Sequence, residues 1–167
     1  MCDVELPIPS NEKQREIVKE YQTVVDRIRL NERLNQKLEE AAQAIYKQRF
    51  LDFESTSRLP LGDIIEFNPN HTIGKGKSTT YIEMADISEN ALNVRGNATR
   101  EFTAGSKFMN GDTLLARITP CLENGKTAFV NFLADEEVGF GSTEFIVMRP
   151  KSEVSPYWVY CTARESH

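Results

Sequence analysis

The sequence predicts an α+β chain: a long N-terminal coiled-coil-type helix, then a mixed β-sheet domain with short helices. Three observations carry this. Residues 11–51 contain no proline and no glycine, and their apolar side chains recur at helical spacing. After that the period turns strand-like, with runs rich in Ile, Val, Phe and Thr. Asn-Gly, Pro and Gly-rich punctuation separates those runs.

Residues 1–9 form an extended lead-in, because Pro7 and Pro9 forbid helix there. Ser10 is the expected N-cap, with Glu12 and Glu16 near the positive end of the helix dipole. The helix is expected over 10–51. Ile17, Tyr21, Val24, Ile28, Leu38, Ala42 and Ile45 follow four-three spacing, a heptad seam of about four heptads. Asn31 and Asn35 fall in the middle of that seam, where polar groups select one register at some cost in stability. A helix of about 40 residues is roughly 60 Å long, more than a domain this small can cover. The seam therefore calls for a partner helix; the plainer alternative is a solvated helix with a partly buried stripe.

Asp52 to Ser57 is expected to be a hinge, and 52–167 a second domain that reads as cut off at its C-terminal end. Strands are expected at Leu61–Phe67, Thr79–Ile87, Asp112–Thr119, Thr127–Leu133 and Thr143–Met148. Turns are expected at Asn68-Pro69-Asn70, Asn110-Gly111-Asp112, Asn124-Gly125 and Gly139-Phe140-Gly141. Ser155-Pro156 opens a final helix carrying Trp158, Val159 and Cys161.

Composition narrows the function. The 167 residues are 40% hydrophobic and 27% charged, ordinary for a soluble globular chain, and the expected location is cytoplasmic. No run is apolar enough for a membrane span, so no membrane partner is expected. The three cysteines, Cys2, Cys121 and Cys161, lack zinc spacing and do not suggest a disulfide framework. The net charge is −5; residues 1–54 carry 9 basic and 11 acidic groups, and the remainder carries 11 and 14. Neither part is a basic module, so nucleic-acid binding would have to use local positive loops.

No catalytic constellation stands out, and neither a metal nor a cofactor is expected. Gly74 to Thr79 ends like a phosphate-binding loop, but His71 occupies the first glycine position and a strand is expected to follow. As a basic loop it offers Lys75 and Lys77 to phosphate; an ordinary solvated hairpin explains it equally well. Asn68-Pro69-Asn70-His71 matches an amino-methyltransferase signature only in part, and reads better as a turn. Cys121 as a nucleophile would need His71 or His167 as its base, one in a loop and one at the chain's last position. Asp135, Glu136 and Glu137 read as a solvated acidic turn.

The stretch from Gly111 to Lys126 is the most informative. It reads as a strand, a polar turn and a returning strand, with Arg117, Thr119, Asn124 and Lys126 at one end of a sheet. Arg suits guanine, Asn suits adenine and Lys suits phosphate, though a structural turn with incidental polar residues accounts for the spacing as well.

As a string, Gly111-Asp112-Thr113-Leu114 followed by Thr119-Pro120 and Glu123-Asn124-Gly125-Lys126 resembles the target-recognition domains of type I restriction-modification specificity subunits. Gly141 to Pro150 resembles the family's next strand, and Pro7 to Val18 resembles, with variations, the opening of its conserved spacer helix. The resemblance implies a non-catalytic component that reads one half of a bipartite DNA target and scaffolds methyltransferase subunits. Its implied partners are double-stranded DNA, methyltransferase subunits and, in the full complex, a motor-nuclease subunit, with a homodimer through the long helix as a further expectation. Lys75, Lys77, Arg117, Thr119, Asn124 and Lys126 are then the expected DNA contacts. Ile17, Tyr21, Val24, Ile28, Asn31, Asn35, Leu38 and Ile45 are the expected helix-pairing residues. The alternative is a module that pairs helices or binds methyltransferase subunits without reading DNA.

Overall fold

The computed structural model describes residues 7–51, 59–151 and 153–165. The expected hinge at 52–57, Cys2 and His167 lie outside the described residues. The chain divides into two compact units, Met1–Leu38 and Glu39–His167.

Helix α1 runs Asn11–Tyr46 and continues as a π-helical turn over Lys47–Leu51. At its start the Ser10 carbonyl accepts from Gln14 N at 2.9 Å, and Gln14 Nε2 donates to Pro9 O at 2.8 Å. Ser10 Oγ accepts from Lys13 N at 3.4 Å, so the expected N-cap satisfies one of the N–H groups that a helix start leaves orphaned. Within the first unit the seam residues Ile17, Tyr21, Val24, Ile28 and Leu38 are 47–69% exposed, so their own unit does not bury them. Asn31 and Asn35 are exposed as well.

Among the described residues the second unit holds two four-stranded sheets. One is antiparallel, in the order β1 (Ile65–Phe67), β8 (Phe145–Pro150), β5 (Thr113–Ala116), β6 (Thr127–Phe129). The other is mixed, in the order β3 (Ala98–Glu101), β2 (Ser78–Ile82), β7 (Gly139–Gly141), β4 (Ser106–Phe108), with β2 and β7 parallel. Strand alternation makes the antiparallel sheet two-sided. Leu114, Phe145 and Val147 enter the main core with Ile82, Phe108 and Val130. Leu115, Ile146 and Met148 face Val159 and Ala163 of α3, Pro156–Glu165. Each fully buried aliphatic side chain here contributes on the order of 2 kcal/mol.

Several expected boundaries shift for local reasons. Leu61–Ile64 is a helical turn, α2, entered from Pro60, so only 65–67 of the expected strand 61–67 is strand. The expected strand 79–87 stops at Ile82, because Glu83 and Asp86 cap each other's backbone N–H groups and close a 3-10 turn over Met84–Asp86. Gly139-Phe140-Gly141, expected as a turn, is strand β7. A Cβ on Gly139 would lie 2.6 Å from the Phe108 ring, and one on Gly141 would lie 2.7 Å from Ile82 O. The glycines let neighbouring groups approach inside a sheet rather than turn the chain. Asn124-Gly125 does not close a two-residue hairpin. β5 and β6 are separated by residues 117–126, and only Gly125 of the pair has positive φ, +67°.

Two of the motif stretches meet in the core. Asp112 is fully buried, and its carboxylate accepts from Arg149 Nε at 2.7 Å and Nη2 at 2.8 Å, and from Met109 N at 2.7 Å. A buried carboxylate is costly unless paired in this way, so Gly111-Asp112 and Arg149-Pro150 hold the sheet together. Asn68, at φ +50°, exchanges two hydrogen bonds with Val147, donating from N to Val147 O at 2.7 Å and accepting on Oδ1 at 3.0 Å. The Asn-Pro pair thus ends β1 in the expected turn.

Candidate nucleic-acid interface

Residues 117–126 leave the antiparallel sheet from β5 and return into β6 as a compact loop. Its own backbone builds it: Leu122 N donates to Ile118 O at 2.8 Å, Asn124 N to Pro120 O at 2.9 Å and Lys126 N to Cys121 O at 3.0 Å. The Thr119–Pro120 peptide is cis. The loop base is tied down by Arg117 N to Glu144 O at 3.0 Å and Ala116 N to Lys126 O at 3.0 Å. Such a loop presents side chains from a fixed platform.

The four expected contact residues of this loop come together but differ in availability. Arg117 is exposed and pairs with Glu144, Nε to Oε2 at 2.9 Å, on the solvent side. Thr119 is exposed. Asn124 is exposed, and its Nδ2 donates to Glu89 Oε1 at 3.3 Å. Lys126 is half-buried, with its ammonium donating to Met84 O at 3.1 Å. The loop is therefore buttressed by Glu144 on one side and by the 84–89 segment on the other. Glu144 lies within the Gly141–Pro150 motif, but nothing in its spacing announced the pairing. Glu89 carried no sequence signal.

Lys75 and Lys77 sit elsewhere. Both are exposed in a turn closed by Lys77 N to Gly74 O at 3.0 Å, with Gly76 at φ +78°. Phe102 locks this turn to β3's end through Gly76 N to Phe102 O and Phe102 N to Lys77 O. The turn enters β2 at Ser78, whereas the 117–126 loop meets the segment beyond β2's other end, at Met84 and Glu89. The five residues of β2, a strand roughly 17 Å long, lie between the two places. The strand following Gly76-Lys77 also removes the phosphate-loop reading, which needs a helix N-terminus there.

Two other groups depart from a simple solvated surface. Glu137, expected in a solvated acidic run, is a staple. Its Oε1 accepts from Thr79 Oγ1 at 2.9 Å, Thr80 N at 3.0 Å and Thr80 Oγ1 at 2.7 Å, and its Oε2 accepts from Ala134 N at 3.0 Å. The Thr80 hydroxyl, with help from these other donors, lowers its pKa to about 2. Asp135 and Glu136 stay exposed. His71 is half-buried, and its Nε2 has no hydrogen-bond partner among the described residues. Burial, then the Arg149 charge, lower its pKa and favour the neutral imidazole. Among the described residues no cluster of His, Cys, Asp and Glu could hold a metal ion, and no helix is long and apolar enough to cross a membrane.

No protein-family model matches the chain. A 47-residue segment is 47% identical to the specificity subunit of the type I restriction enzyme EcoAI of Escherichia coli; it covers 28% of this chain and 8% of that protein. Two solved structures are similar over 95% of this chain and 42% of theirs. One comes from work on complex assembly and conformational transition of the type I R-M system, at 17% identity and TM-score 0.48. The other is the HsdS subunit of Thermoanaerobacter tengcongensis, at 19% identity and TM-score 0.49. The chain thus spans less than half of each protein it matches, and the segment identity bears out the resemblance carried by its motifs.

Proposed function

We propose that this chain is a non-catalytic DNA-reading part of a type I restriction-modification specificity subunit. The observation that carries this is the 47% identity over 47 residues to the EcoAI specificity subunit. In this reading the 117–126 loop contacts base edges in one half of a bipartite target. Arg117 and Thr119 are the most available donors; Asn124 exchanges its Glu89 contact for a base, and Lys126 approaches a phosphate. Exchange of the Arg117–Glu144 pair is cheap, because an exposed ion pair contributes little in water. Lys75 and Lys77, at the other end of β2, add sequence-independent phosphate contact.

Residues 10–51 act as the spacer, and 52–167 as the recognition domain. The exposed seam from Ile17 to Ile45, with Asn31 and Asn35 setting register, pairs with a second helix. That helix belongs to another part of a specificity subunit or to a second copy of this chain. Methyltransferase subunits dock on the paired helices, and a motor-nuclease subunit joins them in the full complex. Such work takes place in the cytoplasm.

The alternative, helix pairing or methyltransferase binding without DNA reading, draws on the net charge of −5 and on the internal partners of Asn124 and Lys126. Size-exclusion chromatography with light scattering, on the chain alone and with a type I methyltransferase subunit, is joined to duplex binding over a salt series. Assembly with sequence-selective duplex binding supports the proposal. Assembly without selectivity supports the alternative, and no assembly with either partner contradicts both.

A further inference from the structure

One side chain touches both the last turns of α1 and the 117–126 loop. Arg164, in the last turn of α3, is largely buried. Its Nε pairs with Glu39 Oε1 at 2.9 Å. Its Nη1 donates to Gly125 O at 3.3 Å, inside the loop, and its Nη2 donates to Glu89 O at 2.9 Å. Glu89 in turn holds Asn124 through its carboxylate. The guanidinium therefore meets the helix, the loop and the loop's buttress with three separate nitrogens, a use of the planar fork that a lysine ammonium cannot reproduce.

The helix side of this junction is itself tightly held. Glu39 Oε1 also accepts from Tyr160 OH at 3.1 Å, and its side chain is only 11% exposed. Tyr46 OH bonds Thr162 Oγ1 at 2.9 Å, and Lys47 pairs with Glu165 at 3.1 Å. Residues 39–47 thus ride on α3 as one piece. Removal of one member of a secluded ion pair leaves the other charge uncompensated, so the pair resists separation.

We propose that Arg164 is a positioning residue: with Glu39 it fixes the 117–126 loop to the C-terminal turns of the long helix, so that the helix sets where the loop stands. This rests on the reading of 117–126 as the DNA-reading loop. A specificity component needs its reading loops at a defined place on the spacer, and this three-way contact supplies a physical means. Arg164 itself touches no DNA in this scheme and acts through Gly125 and Glu89.

Hydrogen exchange on the full-length chain tests the coupling, using the Asn124, Gly125 and Lys126 amides as reporters. Glu39→Ala is the informative variant, because Glu39 makes no hydrogen bond to the loop and Ala keeps α1 helical. It should speed exchange at those amides roughly ten-fold, the worth of a charge-assisted contact, while amides of β5 and β6 hold their protection. Arg164→Met should do the same, and Arg164→Lys should leave the loop loose although the charge is kept. Loop exchange unchanged in Glu39→Ala, or full loop protection in Arg164→Lys, would overturn the proposal. In selection from a randomised duplex pool, both charge-removing variants should lose sequence preference while their salt dependence stays that of the parent chain. Equal loss of both would indicate mere unfolding and contradict it. A parent chain that selects no sequence defeats the DNA-reading proposal, while the exchange result still decides whether Arg164 couples helix to loop.

Discussion

The two units of this chain spend similar apolar side chains in opposite ways. In Glu39–His167, residues such as Leu114, Val147 and Val159 are almost wholly excluded from water. In Met1–Leu38, Val24 and Ile28 keep more than half of their surface exposed, at strict heptad spacing. The first pattern is a finished core. The second is exposed, and in the proposed reading a second helix completes it. On that reading, stability and assembly reside in different parts of the chain and can be broken separately.

The largest effect should come from the finished core. Arg149→Ala strands the fully buried Asp112 carboxylate and should cost about 3 kcal/mol, seen as a lowered denaturant midpoint. A midpoint within experimental error of the parent would refute the structural role assigned to the motif pair. Next, Val24→Asp with Ile28→Asp should abolish helix pairing and methyltransferase binding in light scattering. Folding stability should change by less than about 0.5 kcal/mol, because these are surface positions within their own unit. A large loss of stability there would erase the contrast between the units.

Much of this contrast was legible in the sequence. A helix writes its periodicity locally, so 10–51 could be bounded almost to the residue. Strands β3 and β4 fall where no strand was expected, whereas β1, β2, β5, β6 and β8 announced themselves through apolar runs. Strand β7 did not, because Gly139 and Gly141 serve close packing against Phe108 and Ile82, partners 31 and 59 residues away in sequence. The 117–126 loop was visible through its Thr-Pro and Asn-Gly-Lys string. Its supports were not: Glu144, Glu89 and Arg164 reach it only through the fold. Glu137 shows the same limit, since an acidic triplet looks solvated until Thr79 and Thr80 are brought to it.

A smaller effect should follow from that staple. The folded pKa of Glu137, about 2, lies below its ordinary carboxylate value, so the unfolded chain takes up the proton first. Its contribution to stability is complete above the ordinary carboxylate range and is lost as pH falls towards about 2. Glu137→Gln should flatten the acid limb of the stability curve in a pH series of melts. An unchanged limb would remove Glu137 from that role.

The smallest effect on stability, and the most telling for function, should come from Arg117→Ala. Loss of its exposed pair with Glu144 should leave the denaturant midpoint within error of the parent. The measurement that tests the central claim most directly is selection from a randomised duplex pool by the chain assembled with its methyltransferase subunit, for the parent and for Arg117→Ala. The account predicts a short preferred sequence for the parent and relaxed preference at one position for the variant, equivalent to about 1–3 kcal/mol of discrimination. Identical preference in the two, or none in either, would contradict it.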